Sequence, residues 1–420
     1  MTYDFNTIGA LIGLAVAIVL IIRKLQPAYA LILGALIGGL IGGGGLATTV
    51  ETMVSGASGM MSSVLRIMTS GILVGALIKT GSAEKIAETI VEKLGEKCAI
   101  AAISIATMII CAVGVFIDIS VITVAPIALA IGKKAGLSRP GVLLAMIGGG
   151  KAGNIISPNP NTIAASEAFG VDLTSLMLKN LIPAICALLV AILLASMLAK
   201  NPGDDILATD VDTSRDKELP GFLQAILGPL VVIIMLALRP IAGITIDPLI
   251  ALPVGGIVSV LVTGHAKNLL PTVEFGLSKV VGVSVLLIGT GTIAGIIKAS
   301  ALQYDVIHIM ETLNLPSFVL APVSGILMAA ATASTTAGAT VASQTFSAPL
   351  LSSGVPALAA AAMLHAGATV VDSLPHGSFF HATGGSVNME IKQRMKLIPY
   401  EAAVGLSSTI VSVILFLILG

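Results

Sequence analysis

The chain has 420 residues, 56% of them hydrophobic and 10% charged, and its 22 Lys and Arg balance 22 Asp and Glu. Soluble domains carry roughly 25% charged residues, and a water-soluble fold of this length cannot hide so much apolar side chain. A polytopic helical membrane protein is implied, and zero net charge offers no handle for nucleic acid or an acidic partner.

The N-terminus MTYDFNTIGAL lacks a basic stretch and a cleavage signal, so the first helix is expected to be retained. Apolar runs at 7–22 and 27–43 predict two spans, followed by an amphipathic arm (46–62), a third span (63–80) and a surface helix (82–95). A two-legged apolar segment over about 97–133 is interrupted at VFIDIS (115–120). A helix over about 138–172 is broken at IISPNPN (155–161), and a last span covers 173–199. The polar stretch 201–221 reads as a cytoplasmic linker.

The same order then returns. Spans at 222–239 and 246–263 lead to an arm (265–280), a third span (281–299) and a surface helix (302–314). The second two-legged segment, about 316–353, is interrupted at TASTT (332–336). The helix over about 355–390 breaks at VDSLPHG (371–377), and 396–420 closes the chain. SGILVGALIKTGS (70–82) is echoed by TGTIAGIIKASAL (290–302), as expected of an internal repeat.

If each two-legged segment is a re-entrant hairpin, each half crosses the membrane about five times, and an odd number inverts the second half. The expectation is an all-α fold of two inverted repeats, 1–200 and 222–420, each with one hairpin and one broken helix; scaffold helices occupy 7–80 and 222–299. With both termini outside, all Lys and Arg except Arg66, Lys151, Lys179, Arg239 and Lys298 fall on the cytoplasmic face, satisfying the positive-inside rule.

The stretch GGGKAGNIISPNPNT (148–162) concentrates polar groups in an apolar chain, yet it is no phosphate loop, because Ala145 stands where GxxxxGK[ST] needs glycine and Ala152 follows Lys151. Irregular backbone at membrane depth survives only where protein or water satisfies it, and a half-helix N-terminus attracts anions. Pro158, Pro160 and Pro375 enforce breaks. A single Ser or Thr in such a helix is best explained by packing; four breaks at matching places in two halves point to a binding site. Intramembrane charges are functional candidates. Asp118 sits at the first hairpin tip and Asp372 at the second helix break. Lys151 either attracts an anionic solute or pairs with Asp118 or Asp372. His376 suits proton binding, whereas His365 is expected to be packed and neutral, His381 a surface group, and Glu167 and Asp172 solvated. Cys98, Cys111 and Cys186 are too scattered for a disulfide framework or a zinc site. GTGTIAG (289–295) lies in an apolar helix without a flanking strand, so it reads as helix packing rather than a dinucleotide turn. No HExxH or paired Ser/Lys or Asp/Asp arrangement suggests an enzyme.

SPNPNTIAASEAFGVDL (157–173) resembles the signature of the gluconate permease family, and VVDSLPHGSFF (370–380) is similar to the matching turn in the second half of related hydroxyacid permeases. The resemblance implies a proton-coupled symporter of a small organic anion, a gluconate-like sugar acid or short hydroxycarboxylate, with an elevator-type motion of the hairpins against the early helices. It also implies a homodimer, multi-pass in the inner membrane, with no cofactor. Asn159 and Asn161 stand where family members tend to have histidine and glycine, and Lys151 departs too, pointing to another small or hydroxylated carboxylate. On this reading half-helix N-termini with Ser120, Asn154, Ser157, Ser334, Thr335 and Thr336 hold the carboxylate. Asn159, Asn161, Thr162, Ser373 and Ser378 read hydroxyls, and Asp118, Asp372 and His376 are the proton-binding candidates. Sodium coupling on the same scaffold is the alternative, since hydroxyls and freed carbonyls also ligate sodium.

Overall fold

The computed structural model describes residues 4–200, 206–207, 218–302, 304–305, 308, 312 and 316–419, without the side chains of 239 and 240. The expected linker 201–221 and surface helix 302–314 lie largely outside these residues. Among the described residues the fold is helical, with one isolated bridge between Phe5 and Ser300.

Helices α1 (Thr7–Ile22) and α2 (Pro27–Ile41) form the first hairpin. Asn6 starts α1 by accepting the Gly9 N–H at 2.8 Å, and Pro27 starts α2 at a position where its missing N–H costs nothing. Helix α3 (Leu46–Ser58) is separated from α4 (Met61–Lys79) by Gly59 and Met60. Next come α5 (Ser82–Leu94), α6 (Ala99–Ala112), α7 (Ile117–Lys134), α8 (Arg139–Asn154) and α9 (Pro160–Phe169). A short α10 (Leu173–Lys179) precedes α11 (Leu181–Leu198). The expected single span over 173–199 is thus split at Asn180, whose amide donates to the Ile155 carbonyl at 3.2 Å and is held by the first helix break.

The second half contains α12 (Phe222–Ala242), α13 (Pro248–Val262) and α14 (Leu269–Lys298). Here the arm and third span expected as two elements run as one 30-residue helix. Gly276–Leu277 and Gly282–Val283 lie within it without interrupting the hydrogen-bond ladder, unlike Gly59–Met60 between α3 and α4. Helices α15 (Leu320–Thr332), α16 (Thr335–Ser352), α17 (Ala357–Gly367), α18 (Ser378–Gly385), α19 (Ile391–Met395) and α20 (Ile398–Leu419) follow. Residues 155–159 and 368–377 are not helical throughout. The first two-legged segment turns at 113–116, ahead of Asp118, which already lies in the first turn of α7, and the second turns at Ala333 and Ser334.

Among the described residues, Met61–Lys79, Leu181–Leu198, Ala266–Lys298 and Ile391–Leu419 are long and apolar enough to cross a membrane. Ser82–Leu94 with Glu96–Ala112 would add a fifth but bends by 103°. Helices α1, α2 and α13 are apolar at 15 or 16 residues, shorter than the ~20 that a straight span needs.

The early helices pack on one another: α1 on α2, and α4 on α13 and α14. The α4–α14 crossing is close enough that a β-carbon on Gly276 would fall on the Gly71 carbonyl oxygen, the backbone-to-backbone contact that small residues permit in lipid. Later helices form their own cluster. In it α6 and α11 flank α8, α15 packs on α16 and α17, α16 on α9, and α20 on α11 and α17. Leucines and isoleucines on the outside of α1, α11 and α20, such as Ile8, Leu193 and Leu417, are exposed, as lipid-facing residues must be.

Candidate functional site

The first break starts from local chemistry. Pro158 and Pro160 disfavour helix at the residues before them, and Asn159 caps α9, its Oδ1 accepting from Asn161 N–H at 2.9 Å and Thr162 N–H at 3.2 Å. Asn154, the last residue of α8, is the hub. Its Oδ1 accepts from Asn159 Nδ2 at 2.6 Å and Asn161 Nδ2 at 2.9 Å, and its carbonyl accepts from Asn159 Nδ2 at 3.0 Å. Ser157 Oγ donates to the Cys111 carbonyl at 2.6 Å, tying the break to the end of α6. Lys151, Asn154, Ser157, Asn159, Asn161 and Thr162 are all buried. After this cross-bracing, Asn154 Nδ2 and Asn161 Oδ1 remain buried without a partner among the described residues. A donor and an acceptor left over at a helix break are what a solute hydroxyl or carboxylate needs.

At the second break, Lys151 Nζ donates to both Asp372 Oδ1 and the Thr369 carbonyl. Thr335 Oγ1 donates to Asp372 Oδ2 at 2.5 Å, and Ser373 Oγ donates to Oδ1 at 2.9 Å. Lys151 and Asp372 are each 1% exposed. Of the two expected roles for Lys151, the structure records the carboxylate partner, and that partner is Asp372. Helix α8, the α17–α18 break and the N-terminus of α16 therefore meet at one carboxylate. Gly377 stays a glycine because a β-carbon there would strike the Ala333 carbonyl at the hairpin turn.

The remaining expected residues lie elsewhere. Asp118 is half-buried in the first turn of α7, and the ion pair of Lys151 is with Asp372 instead. Ser120 is fully buried one turn along α7. A cavity of about 500 Å³ is lined by Ser334, Thr336, His376, Ser378 and His381, facing Gln26 and Val283. His376 Nε2 lies 3.3 Å from the Ala331 carbonyl, and His381, exposed as expected, lies 2.8 Å from that of Pro375. The candidate residues thus divide into a buried group at the Lys151–Asp372 pair and the asparagine hub, an open group around the cavity, and Asp118 with Ser120 on the first hairpin.

Two ionic clusters depart from expectation. Glu167, expected to be solvated, pairs with Arg66 of α4, which also takes Asp247 in a two-pronged contact at 2.8 and 2.6 Å. Asp172 caps α10 through Ser175 N–H at 2.9 Å. These residues line a second cavity of about 200 Å³. Arg394, expected as a cytoplasmic loop cation, is 1% exposed. Its guanidinium pairs with Glu401, donates to Thr383 at 3.3 Å and lies 4.8 Å from the Phe380 ring. Sequence reading missed Thr369 because its role is played by a backbone carbonyl. It missed Glu401 because α20 looked like a plain apolar span. The signal for Arg66 was present: an arginine within an apolar helix needs a partner.

Apolar helices, polar breaks meeting inside the molecule and buried charges there define a multi-pass membrane protein of the transporter type. The comparisons narrow this: the pattern of the GntP family permeases matches residues 5–419, and the chain belongs to that family. A Haemophilus influenzae protein described as an uncharacterized transporter is 54% identical over 98% of both chains. A gluconate permease of Pseudomonas aeruginosa is 24% identical, covering 58% of this chain and 56% of its own. The D-serine transporter DsdX of Escherichia coli is 22% identical over 78% and 79%. The solved Alcanivorax borkumensis YdaH transporter shares the fold, with a TM-score of 0.68 over 98% of both chains at 13% identity.

Two outcomes test the site. Lys151→Met and Asp372→Asn should each cost roughly 3–5 kcal/mol, the scale for orphaning a buried charge, while the double variant loses less than the sum. Additive losses in thermal melts would show that the two groups do not act as a pair. Separately, the Arg66 hydrogen bond holds the Asp247 carboxyl below the usual carboxylate range. Its stabilisation is therefore complete above the unfolded value of about 4 and is lost as pH falls through the lower folded value. Asp247→Asn keeps the helix cap, so its melting deficit against wild type should be constant near neutrality and shrink below about pH 4. A deficit that persists unchanged to the acid limit of folding would refute the assignment.

Proposed function

We propose that this protein is a secondary active transporter that carries a small organic anion, a gluconate-like sugar acid or short hydroxycarboxylate, together with a proton. The observation that carries the reading is the leftover polarity at the first break: Asn154 Nδ2 and Asn161 Oδ1, buried and unpartnered, beside the Lys151–Asp372 pair. Relatives named for gluconate and D-serine fit it, because both solutes place a carboxylate next to a hydroxyl or amino carbon. The carboxylate is assigned to the half-helix ends with Ser120, Asn154, Ser157, Ser334, Thr335 and Thr336. Asn159, Asn161, Thr162, Ser373 and Ser378 would read hydroxyls, and Lys151 completes the set. Asp118, Asp372 and His376 are the proton carriers of the proposal; a proton moving with the anion removes net charge that is costly in a low-dielectric interior.

The mechanism proposed is an elevator motion of two inverted repeats, 1–200 and 222–420. Supporting it, the early helices α1–α4 and α12–α14 pack largely among themselves, as do the hairpins and broken helices. Arg66–Glu167 crosses between the two groups. Included in the proposal are an inner-membrane location, a homodimer and both termini outside. Cross-linking in native membranes that finds only monomer, or a terminal cysteine labelled only from the cytoplasm, would remove those parts.

Proteoliposomes should accumulate labelled gluconate or 3-hydroxybutyrate under an inward proton gradient. Asn161→Leu should raise KM by about tenfold, since one lost hydrogen bond is worth about 1.5 kcal/mol. No uptake of any carboxylate, with or without sodium, ends the proposal. Uptake abolished when choline replaces sodium at fixed pH selects the sodium-coupled alternative.

A further inference from the structure

The Lys151 ammonium occupies an oxygen cage of unusual make-up. Its acceptors are the Thr369 carbonyl, freed where α17 ends, and the Asp372 carboxylate. The same carboxylate is polarised by the Thr335 hydroxyl at 2.5 Å and the Ser373 hydroxyl at 2.9 Å. One carboxylate oxygen and one freed backbone carbonyl at a helix break meet the ammonium directly, with two hydroxyls ordering that carboxylate from behind. Freed carbonyls at broken helices are the oxygens that hold Na⁺ in transporters. Neither acceptor needs a lysine in particular; what the carboxylate and the carbonyl need is a compact positive charge. Lysine supplies it as a compact charge at the end of a long stem, reaching in from α8, a different element from those that build the cage.

We propose that the cage is an alkali-cation site filled by a tethered ammonium, and that shortening Lys151 turns it into a binding site for free Na⁺ or Li⁺. With Lys151 in place the protein has no use for sodium at this position. With Lys151→Ala the carboxylate is left buried and unpaired, at a cost that an entering cation relieves. A cation that binds the folded form alone raises the melting temperature by mass action. The inference rests on the cage geometry and not on transport, and melts need no transported solute, so the two ideas fail independently.

The experiment compares melts of purified protein in choline, K⁺, Na⁺ and Li⁺ chloride at constant ionic strength. Wild type should gain less from Na⁺ or Li⁺ than Lys151→Ala does, since any sodium bound elsewhere for transport acts on both proteins alike. Lys151→Ala should melt several degrees higher in Na⁺ or Li⁺ than in choline, with a saturable dose response. The double variant Lys151→Met/Asp372→Asn, which lacks the carboxylate, should show no response. Should Lys151→Ala not fold in choline, recovery on purification in Na⁺ or Li⁺ carries the same meaning, with Lys151→Ser as a second chance. The proposal is overturned if Lys151→Ala is indifferent to every cation. A wild type that gains as much from Na⁺ as the variant has the same force, as does recovery of only the double variant.

Discussion

One ion pair holds the middle of this molecule together. Lys151 leaves α8, reaches Asp372 in the second helix break, and through Thr335 engages the tip of the second hairpin. In hydrocarbon an interrupted helix leaves backbone groups that lipid cannot satisfy. The ammonium answers one of them directly, at the Thr369 carbonyl, and its charge answers the carboxylate. Without that pair, each break would place an uncompensated charge or a bare carbonyl deep in the protein.

Three ionic clusters that join separate elements differ in kind. The Arg394 guanidinium and Glu401 meet in planar two-pronged geometry with a ring beneath, a contact within the last few elements that fixes α18 and α19 against α20. Arg66, with a side chain 22% exposed, clamps α4 to the loop before α13 and to α9 at the edge of a cavity; water screens it and weakens its worth. Lys151–Asp372 is both dry and between elements far apart in sequence. It alone of the three couples the two broken helices, and it lies beside the unpartnered asparagine groups of the first break.

The breaks themselves were legible, because proline and clustered asparagine carry their instructions locally. Pro158, Pro160 and Asn159 end one helix and cap the next without help from the rest of the fold. The division between arm and third span was legible in the first half, where α3 ends at Ser58 and α4 begins at Met61, but the same division does not occur in the second, where α14 runs unbroken. Of the candidate site residues, the buried group was assembled around the two breaks. Asp118 was not, because an acidic residue in the first turn of a helix faces that helix's own free N–H groups and can be satisfied locally.

The sequence by itself determined the solvent and the punctuation: a chain with so little charge must live in lipid, and its prolines and polar clusters must open its helices there. Only the tertiary structure decided who answers whom. Whether Lys151 faced Asp118 or Asp372, and whether Arg394 and Glu167 met water or a counter-ion, turned on which helices were neighbours. Electrostatic partners act over a few ångströms in space, and spacing along the chain does not encode that distance once helices of unrelated position are packed together.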